Sequence, residues 1–199
     1  MSADRQDLLR LDWPELTSVV VVDLSWGIGR GGDQLYHLRG DMSHFRRVTS
    51  GGTMILGRKT LETFPGGQPL AGRRHVVLTG SPELLEGIDV TPVSRLEDLP
   101  GVLAGLPGPY FVVGGSSIYE QLLPVTRFAI VTIIETRDEG VDRWHPNLDE
   151  DEEWRQDDCS VGCLDRRTRL SYKFCRYSRI AGGILDRSEK HGRQLTDIT

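Results

Sequence analysis

Short apolar runs recur along the chain at Val19–Val22, Thr53–Leu56, Val76–Thr79, Tyr110–Val113 and Ala129–Ile134. None alternates with polar residues, so each predicts a strand covered on both faces. Helical spacing fills the intervals. Leu38, Met42 and Phe45 recur at steps of four and three, and so share one face of a helix running from Arg39–Gly40 to about Thr49. Ser50–Gly52 break it. Leu96–Leu106 is the expected helix within an acidic helix-and-loop segment, 81–108. Ile118, Leu122 and Leu123 mark the buried side of a helix opened by Ser116 and Ser117. Arg155–Gly162 and Leu170–Ile180 are strand-like pieces joined by a polar turn. The pattern predicts an α/β fold: a central, mainly parallel, twisted sheet flanked by helices and closed by a C-terminal antiparallel hairpin.

The ends do not share this pattern. Residues 1–17 form a charged extension, in which Leu8, Leu9 and Leu11 allow a short helix before Trp13–Pro14. Residues 181–199 are polar and aperiodic and read as a tail, leaving 18–180 as the domain. There are no internal repeats.

Composition narrows the function. A chain of 199 residues suits one domain with a sizeable core. Its net charge of −5 argues against non-specific nucleic-acid binding. No apolar run reaches membrane-spanning length. The odd cysteine count (Cys159, Cys163, Cys175) and the lack of a signal peptide suggest a reducing cytoplasm. Cys159 and Cys163 lack a second ligand pair, so no metal site is expected.

Candidate chemistry gathers at a few places. Asp41 falls in the first turn of its helix, where an anion is favoured. It reads either as a surface helix acid or as a carboxylate at the floor of an apolar pocket, pairing with a flat cationic heterocycle. Trp26–Gln34 holds four glycines in nine residues, a mobile loop that is either plain surface or a lid. Gly57 precedes Arg58 and Lys59 at a helix start, which reads as a phosphate-monoester site or as a solvated basic pair. Gly114–Gly115 lies between a strand and a helix, where backbone can approach a pyrophosphate. Asp138–Pro146 is a loop containing Asp142, and 149–153 is an acidic turn.

In their order and spacing, DQLYHLRGDMSHFRR, TMILGRKTLETF with PLAGRR, YFVVGGSSIYEQLLP and EGVDRWHP resemble the dihydrofolate reductase family, from about Ser18 to Ile180. The resemblance implies NADPH-dependent reduction of 7,8-dihydrofolate to tetrahydrofolate, in a cytoplasmic monomer open to antifolate inhibitors. It makes Asp41 the carboxylate that pairs with the pterin 2-amino group and N3, with Thr132 hydrogen-bonded to it and Tyr36 completing the catalytic set by offering its hydroxyl to an ordered water. Val20, Val21, Met42, Phe45, Phe64 and Leu70 would line the substrate. Arg73 would take its glutamate α-carboxylate. On the cofactor side it implies Gly57, Arg58, Lys59, Thr60, Leu78 and Thr79 around the adenosine, with the two cations on the 2′-phosphate. Val21, Ile28, Gly29, Val113, Gly114, Gly115, Ser116, Ser117, Ile118 and Tyr119 would surround the pyrophosphate and nicotinamide.

The chain also departs from the family pattern. Tyr36 replaces the tryptophan of W-x-L-P, and Arg39 replaces its proline, close enough in sequence to compete for Asp41. Ser116 replaces a glycine, and Gly31–Gly32 occupy the lid where a polar residue often stands. A riboflavin-pathway pyrimidine reductase using NADPH, or a non-enzymatic pterin or nucleotide binder, are the alternatives these departures leave.

Overall fold

The computed structural model describes residues 5–180, so the tail expected at 181–199 lies outside the described residues. In chain order the elements are α1 (Arg5–Leu8), β1 (Leu16–Val22), β2 (Gly27–Arg30), β3 (Asp33–Gln34), α2 (Arg39–Thr49), β4 (Thr53–Gly57), α3 (Arg58–Glu62), β5 (Arg74–Leu78) and β6 (Thr91–Val93). There follow α4 (Leu99–Ala104), β7 (Tyr110–Val112), α5 (Ser116–Leu122), β8 (Thr126–Ile134), β9 (Arg143–Trp144), β10 (Trp154–Cys159), β11 (Cys163–Leu164) and β12 (Ser171–Arg179).

The main sheet has the order β10-β12-β8-β1-β7-β4-β5-β6, with β11 beside β12. β1 pairs in parallel with both β7 and β8, and β4, β5 and β6 continue the parallel half. β12 then runs antiparallel to β8 and to β10, closing the sheet with the expected hairpin. β-Branched β1 sits at the centre, buried from Ser18 to Val20 and again at Val22. One core cluster holds Val20, Ile55, Val112 and Ile118; a second holds Val19, Met54, Leu56 and Val113. Leu8 of α1 is buried in the first cluster.

Several elements differ from expectation. The glycine-rich stretch is a hairpin, β2–β3, that pairs with β9 in a second, three-stranded sheet. Glycine allows this: a Cβ on Gly27 would meet Val141 at 2.6 Å, so the strands close only without one. The expected Leu96–Leu106 helix is a 3₁₀ turn at Leu96–Asp98 followed by the shorter α4, with Pro100 setting its first turn. β6, three residues including a proline at the sheet edge, was not expected at all. Cys159 and Cys175, directly opposed across β10 and β12, are joined in a disulfide, a pairing the odd cysteine count gave no reason to foresee.

Candidate active site

Asp41 is the third residue of α2, yet its side chain turns inward and is only 7 % exposed. Burial raises its carboxyl above the ordinary carboxylate range, and a hydrogen bond donated by Thr132 opposes part of that rise. Thr132, on β8, is itself buried and fixed between Val21 of β1 and Phe174 of β12 by sheet register. Among the described residues no cation pairs with Asp41. The expected competitor, Arg39, lies two positions earlier in the helix, so its side chain emerges on the opposite, exposed face.

The apolar residues expected around this carboxylate divide among three clusters. Phe45, Phe64 and Leu70 are partly buried and pack together against the second core cluster. Val21 and Tyr36 pack beside Leu38, Tyr172 and Phe174. Burial, then the charges of Asp23 and Asp138, raise the Tyr36 phenol. Val20 faces the other core cluster, with Ile118 and Tyr119. Met42 departs from the expected face, being 49 % exposed while Leu38 is fully covered. Tyr119 is buried and donates to the Val19 carbonyl at 2.8 Å; burial and then the Asp41 charge push its phenol far up, so it stays a donor. Arg73 is half-buried, donating to Thr49 Oγ1 at 3.3 Å and to the Ala71 carbonyl at 3.1 Å.

The two glycine turns meet. β4 and β7 are parallel neighbours that both lead into helices, and Gly57 N–H donates to the Gly114 carbonyl at 2.8 Å. A Cβ on Gly114, whose φ is 102°, would meet Tyr119 at 2.8 Å; one on Gly115 would press on Thr60 Oγ1 at 3.3 Å. The uncapped N-termini of α3 and α5 therefore sit side by side with bare backbone between them, a cradle suited to a dinucleotide's phosphates. Ser116 and Ser117 open α5, and Ile118 lies under Gly57. Leu78 and Thr79, at the end of β5, are half-buried. Lys59 is exposed, whereas Arg58 is ion-paired with Glu62 one turn later.

The β2–β3 hairpin is fastened to the loop after β8. Arg30 pairs with Asp138 at 3.1 Å, and Gly31 N–H donates to Asp142 at 2.9 Å. Ile28 is half-buried against the first core cluster, and a Cβ on Gly29 would meet the Asp33 carbonyl at 2.9 Å.

Two residues that sequence reasoning passed over organise this region. Asp23 is fully buried and accepts from Ser25 N (2.8 Å), Ser25 Oγ (2.7 Å), Gly27 N (2.8 Å) and Asp138 N (2.9 Å). An aspartate after a strand, with serine two residues on, is an Asx-turn signal and was readable as such. His145 is 2 % exposed. Its Nδ1–H donates to the Pro146 carbonyl at 2.7 Å, leaving Nε2 to accept from Ser18 Oγ at 3.2 Å. Nothing local marks that histidine, because its partner lies on β1, far away in sequence.

Known proteins match this architecture. Residues 15–179 fit the family described as dihydrofolate reductase. The chain is 33% identical to the dihydrofolate reductase of Bacillus subtilis over 164 residues, covering 82% of this chain and 94% of that one. It is 32% identical to the Staphylococcus aureus enzyme over 160 residues, 80% of this chain and 94% of that protein. A solved dihydrofolate reductase from Enterococcus faecalis, complexed with NADP(H) and RAB-propyl, superposes with a TM-score of 0.74 at 27% identity, over 83% of this chain and 96% of that one. With its sheet order, inward carboxylate and paired glycine turns accounted for, this chain belongs to the dihydrofolate reductase family.

Proposed function

We propose that the protein reduces 7,8-dihydrofolate to 5,6,7,8-tetrahydrofolate with NADPH, in the cytoplasm and as a monomer, supplying one-carbon and thymidylate metabolism. The observation that carries this reading is Asp41: a buried carboxylate with one neutral donor and, among the described residues, no paired cation. Such a group is costly unless a ligand pairs with it. An amino group next to a ring N–H, as on the pterin, offers two parallel donors that match both oxygens. Phe45, Phe64 and Leu70 would cover the ring system and the aminobenzoyl group. Arg73, held by Thr49 and Ala71, would receive the glutamate α-carboxylate.

NADPH, when bound, would supply the hydride that reaches pterin C6. The chain's glycine turns, Gly57 and Gly114–Gly115, would admit its pyrophosphate, with Lys59 and Arg58 on the 2′-phosphate. Ile28 and Gly29 of the hairpin would exclude bulk water. Holding the 2-amino edge keeps Asp41 away from N5, so its role is to stabilise positive charge on the ring, and a water admitted beside the hairpin would deliver the N5 proton.

A pyrimidine reductase of the riboflavin type would need the cofactor cradle but not a buried Asp41, and Asp41 therefore favours the pterin. The test is hydride transfer from NADPH to dihydrofolate, followed by the loss of reduced-nicotinamide absorbance. Turnover of dihydrofolate supports the reading. Oxidation of NADPH by a ribosylated pyrimidine but not by dihydrofolate would overturn it.

A further inference from the structure

Three of the residues assigned to the substrate meet at a histidine that the proposed chemistry leaves idle. His75, near the start of β5, is only 3 % exposed. Its Nε2 accepts from the Leu70 N–H at 3.1 Å. Its ring stands edge-on to Phe64, with centroids 6.2 Å apart. Arg73 lies two positions earlier, just before the strand. The loop that carries Leu70 and Arg73 has few other fastenings. Among the described residues, Leu70 supplies the only backbone N–H of 69–73 that donates within the protein. The Gly72 carbonyl accepts from Gly51 N–H at 2.9 Å, and the Arg73 guanidinium reaches Thr49. The histidine therefore holds the side of the loop on which Leu70 packs.

The bond fixes the position of the proton. An amide N–H only donates, so Nε2 is bare and the neutral ring carries its proton on Nδ1. Nδ1 is buried, with no hydrogen-bond partner among the described residues. A second proton would sit on Nε2 and point at the Leu70 N–H, donor against donor, in a place closed to water. Bond and charge are incompatible, so the loop must move before the ring ionises. Burial, then the Arg73 charge, hold the ring's pKa below the ordinary 6.5, outweighing the Arg73 backbone and the Asp89 charge. Arg73 and Asp89 are the charges that act on it. Met54, paired with it on β4, and Phe64 are uncharged, and exposed Arg74 alternates to the other face of β5.

We propose that neutral His75 is a positioning residue for the substrate: it latches Leu70, sets the loop that carries Leu70 and Arg73, and lets go when protonated. This rests on the reductase reading, and adds to it a proton-controlled grip on the aminobenzoyl and glutamate end of dihydrofolate. His75 itself acts through Leu70, Phe64 and Arg73. The neutral ring is the binding form, so affinity is full at higher pH and falls as the ring takes its proton.

The experiment measures KM for dihydrofolate and for NADPH between about pH 7.5 and about pH 5 in the wild type, His75→Gln and His75→Phe. Glutamine offers Leu70 an amide oxygen near the place of Nε2 and does not titrate. Near neutral pH the wild type and His75→Gln should have similar KM for dihydrofolate. In acid the wild-type value should rise relative to the glutamine variant, by up to about tenfold, the loss that one broken buried hydrogen bond gives. Asp41 and the substrate titrate in both proteins, so the ratio isolates His75. His75→Phe keeps a ring beside Phe64 but accepts nothing, and its KM for dihydrofolate should be raised by about the same factor at every pH. KM for NADPH should stay level throughout. A wild-type-to-glutamine ratio that is flat with pH overturns the inference alone, whether or not the phenylalanine variant folds. So does a KM for NADPH that rises in step with that for dihydrofolate, which would mark a general structural role. No turnover of dihydrofolate by the wild type overturns the reductase reading, and this inference with it.

Discussion

Thr132 on β8 donates its hydroxyl to the Asp41 carboxylate on α2, joining the sheet to that helix. The donor is held by strand pairing on both sides, with Val21 and with Phe174. One neutral hydrogen bond contributes only about 1 kcal/mol net, well short of the cost of burying a carboxylate. The free protein therefore stores an unfavourable charge that a cationic or multi-donor ligand relieves.

That charge should be visible in stability. The folded-state pKa of Asp41 is raised, so its favourable contribution is complete below the unfolded value of 3.8 and is lost as pH rises through the folded value. Asp41→Asn removes the ionisation while keeping the shape. The variant should be more stable than the wild type at neutral pH, by about 1.4 kcal/mol for each unit of the raise, and the gap should close in acid. Urea unfolding at several pH values checks it; a wild type that is the more stable of the two at neutral pH would contradict the burial argument.

The same substitution should act oppositely on turnover. If the carboxylate stabilises the protonating pterin, Asp41→Asn should lower turnover at neutral pH by orders of magnitude, each tenfold loss being about 1.4 kcal/mol of barrier. Lowering the pH should restore part of the rate, since an already protonated substrate needs less help. NADPH affinity should hardly change, because the glycine turns lie on other elements. Coincident pH–rate profiles for the two proteins would remove Asp41 from the mechanism.

How far the sequence reached can be seen residue by residue. The β-branched run at Val19–Val22 and the steps from Leu38 to Phe45 are local periodic signals, and the central strand and α2 follow from them. The same helical spacing misplaced Met42, because Leu38 precedes the helix as its N-cap and its burial does not define the helix's inner face. The hairpin β2–β3 was hidden for a different reason. Its glycines carry no alternation, and its third strand, β9, lies more than a hundred residues later. Asp23 and His145 were missed because each is defined by partners from another segment: Asp138 for the first, Ser18 for the second.

Asp23 should prove more than a turn residue. Burial pushes its carboxyl up, but hydrogen bonds from Ser25, Asp138 and Gly27 outweigh this and hold it below the ordinary value. It ties the start of the hairpin to the loop that also carries Asp142. Asp23→Ala strands several buried donors, each costing about 1–3 kcal/mol. We expect a loss of several kcal/mol by that reckoning, together with faster amide exchange in β2 and in 136–142. Exchange raised uniformly over the chain would instead indicate a global defect.

Cofactor choice should depend on Lys59 more than on Arg58. Arg58 is engaged with Glu62, whereas Lys59 is exposed and makes no ion pair among the described residues. A charge-assisted contact to a phosphate is worth roughly 1.5–3 kcal/mol. Lys59→Ala should therefore raise KM for NADPH at least tenfold and leave KM for NADH nearly unchanged, with Arg58→Ala giving a smaller change of the same kind. Equal changes for the two cofactors would place the 2′-phosphate elsewhere.

The last prediction concerns His145 and acid. Its pKa is lowered from 6.5 to about 4, chiefly by burial, and its ring is satisfied only when neutral: Nδ1 donates to Pro146 and Nε2 accepts from Ser18. In the unfolded chain the ring takes a proton below pH 6.5, while in the folded protein it resists until about 4. The contribution to stability is therefore full above 6.5 and is lost as pH falls through that window, about 3 kcal/mol in all. His44 and His75 are lowered too, by burial and then by Arg47 and Arg73, so the wild-type curve sums three groups of the same sign. The His145 share is isolated by Ser18→Ala/His145→Phe. That pair leaves no orphaned hydroxyl, the Pro146 carbonyl loses its donor equally at every pH, and phenylalanine keeps an aromatic ring beside Tyr119 and Trp26. Between pH 7.5 and pH 5 the double variant should gain about 2 kcal/mol of stability relative to the wild type, on top of a pH-independent offset of about 1–3 kcal/mol for the unpaired Pro146 carbonyl. Urea unfolding at the two pH values decides it. A stability difference that does not change with pH would mean that His145 is protonated in the folded state, and the Ser18–His145–Pro146 arrangement would need another proton assignment.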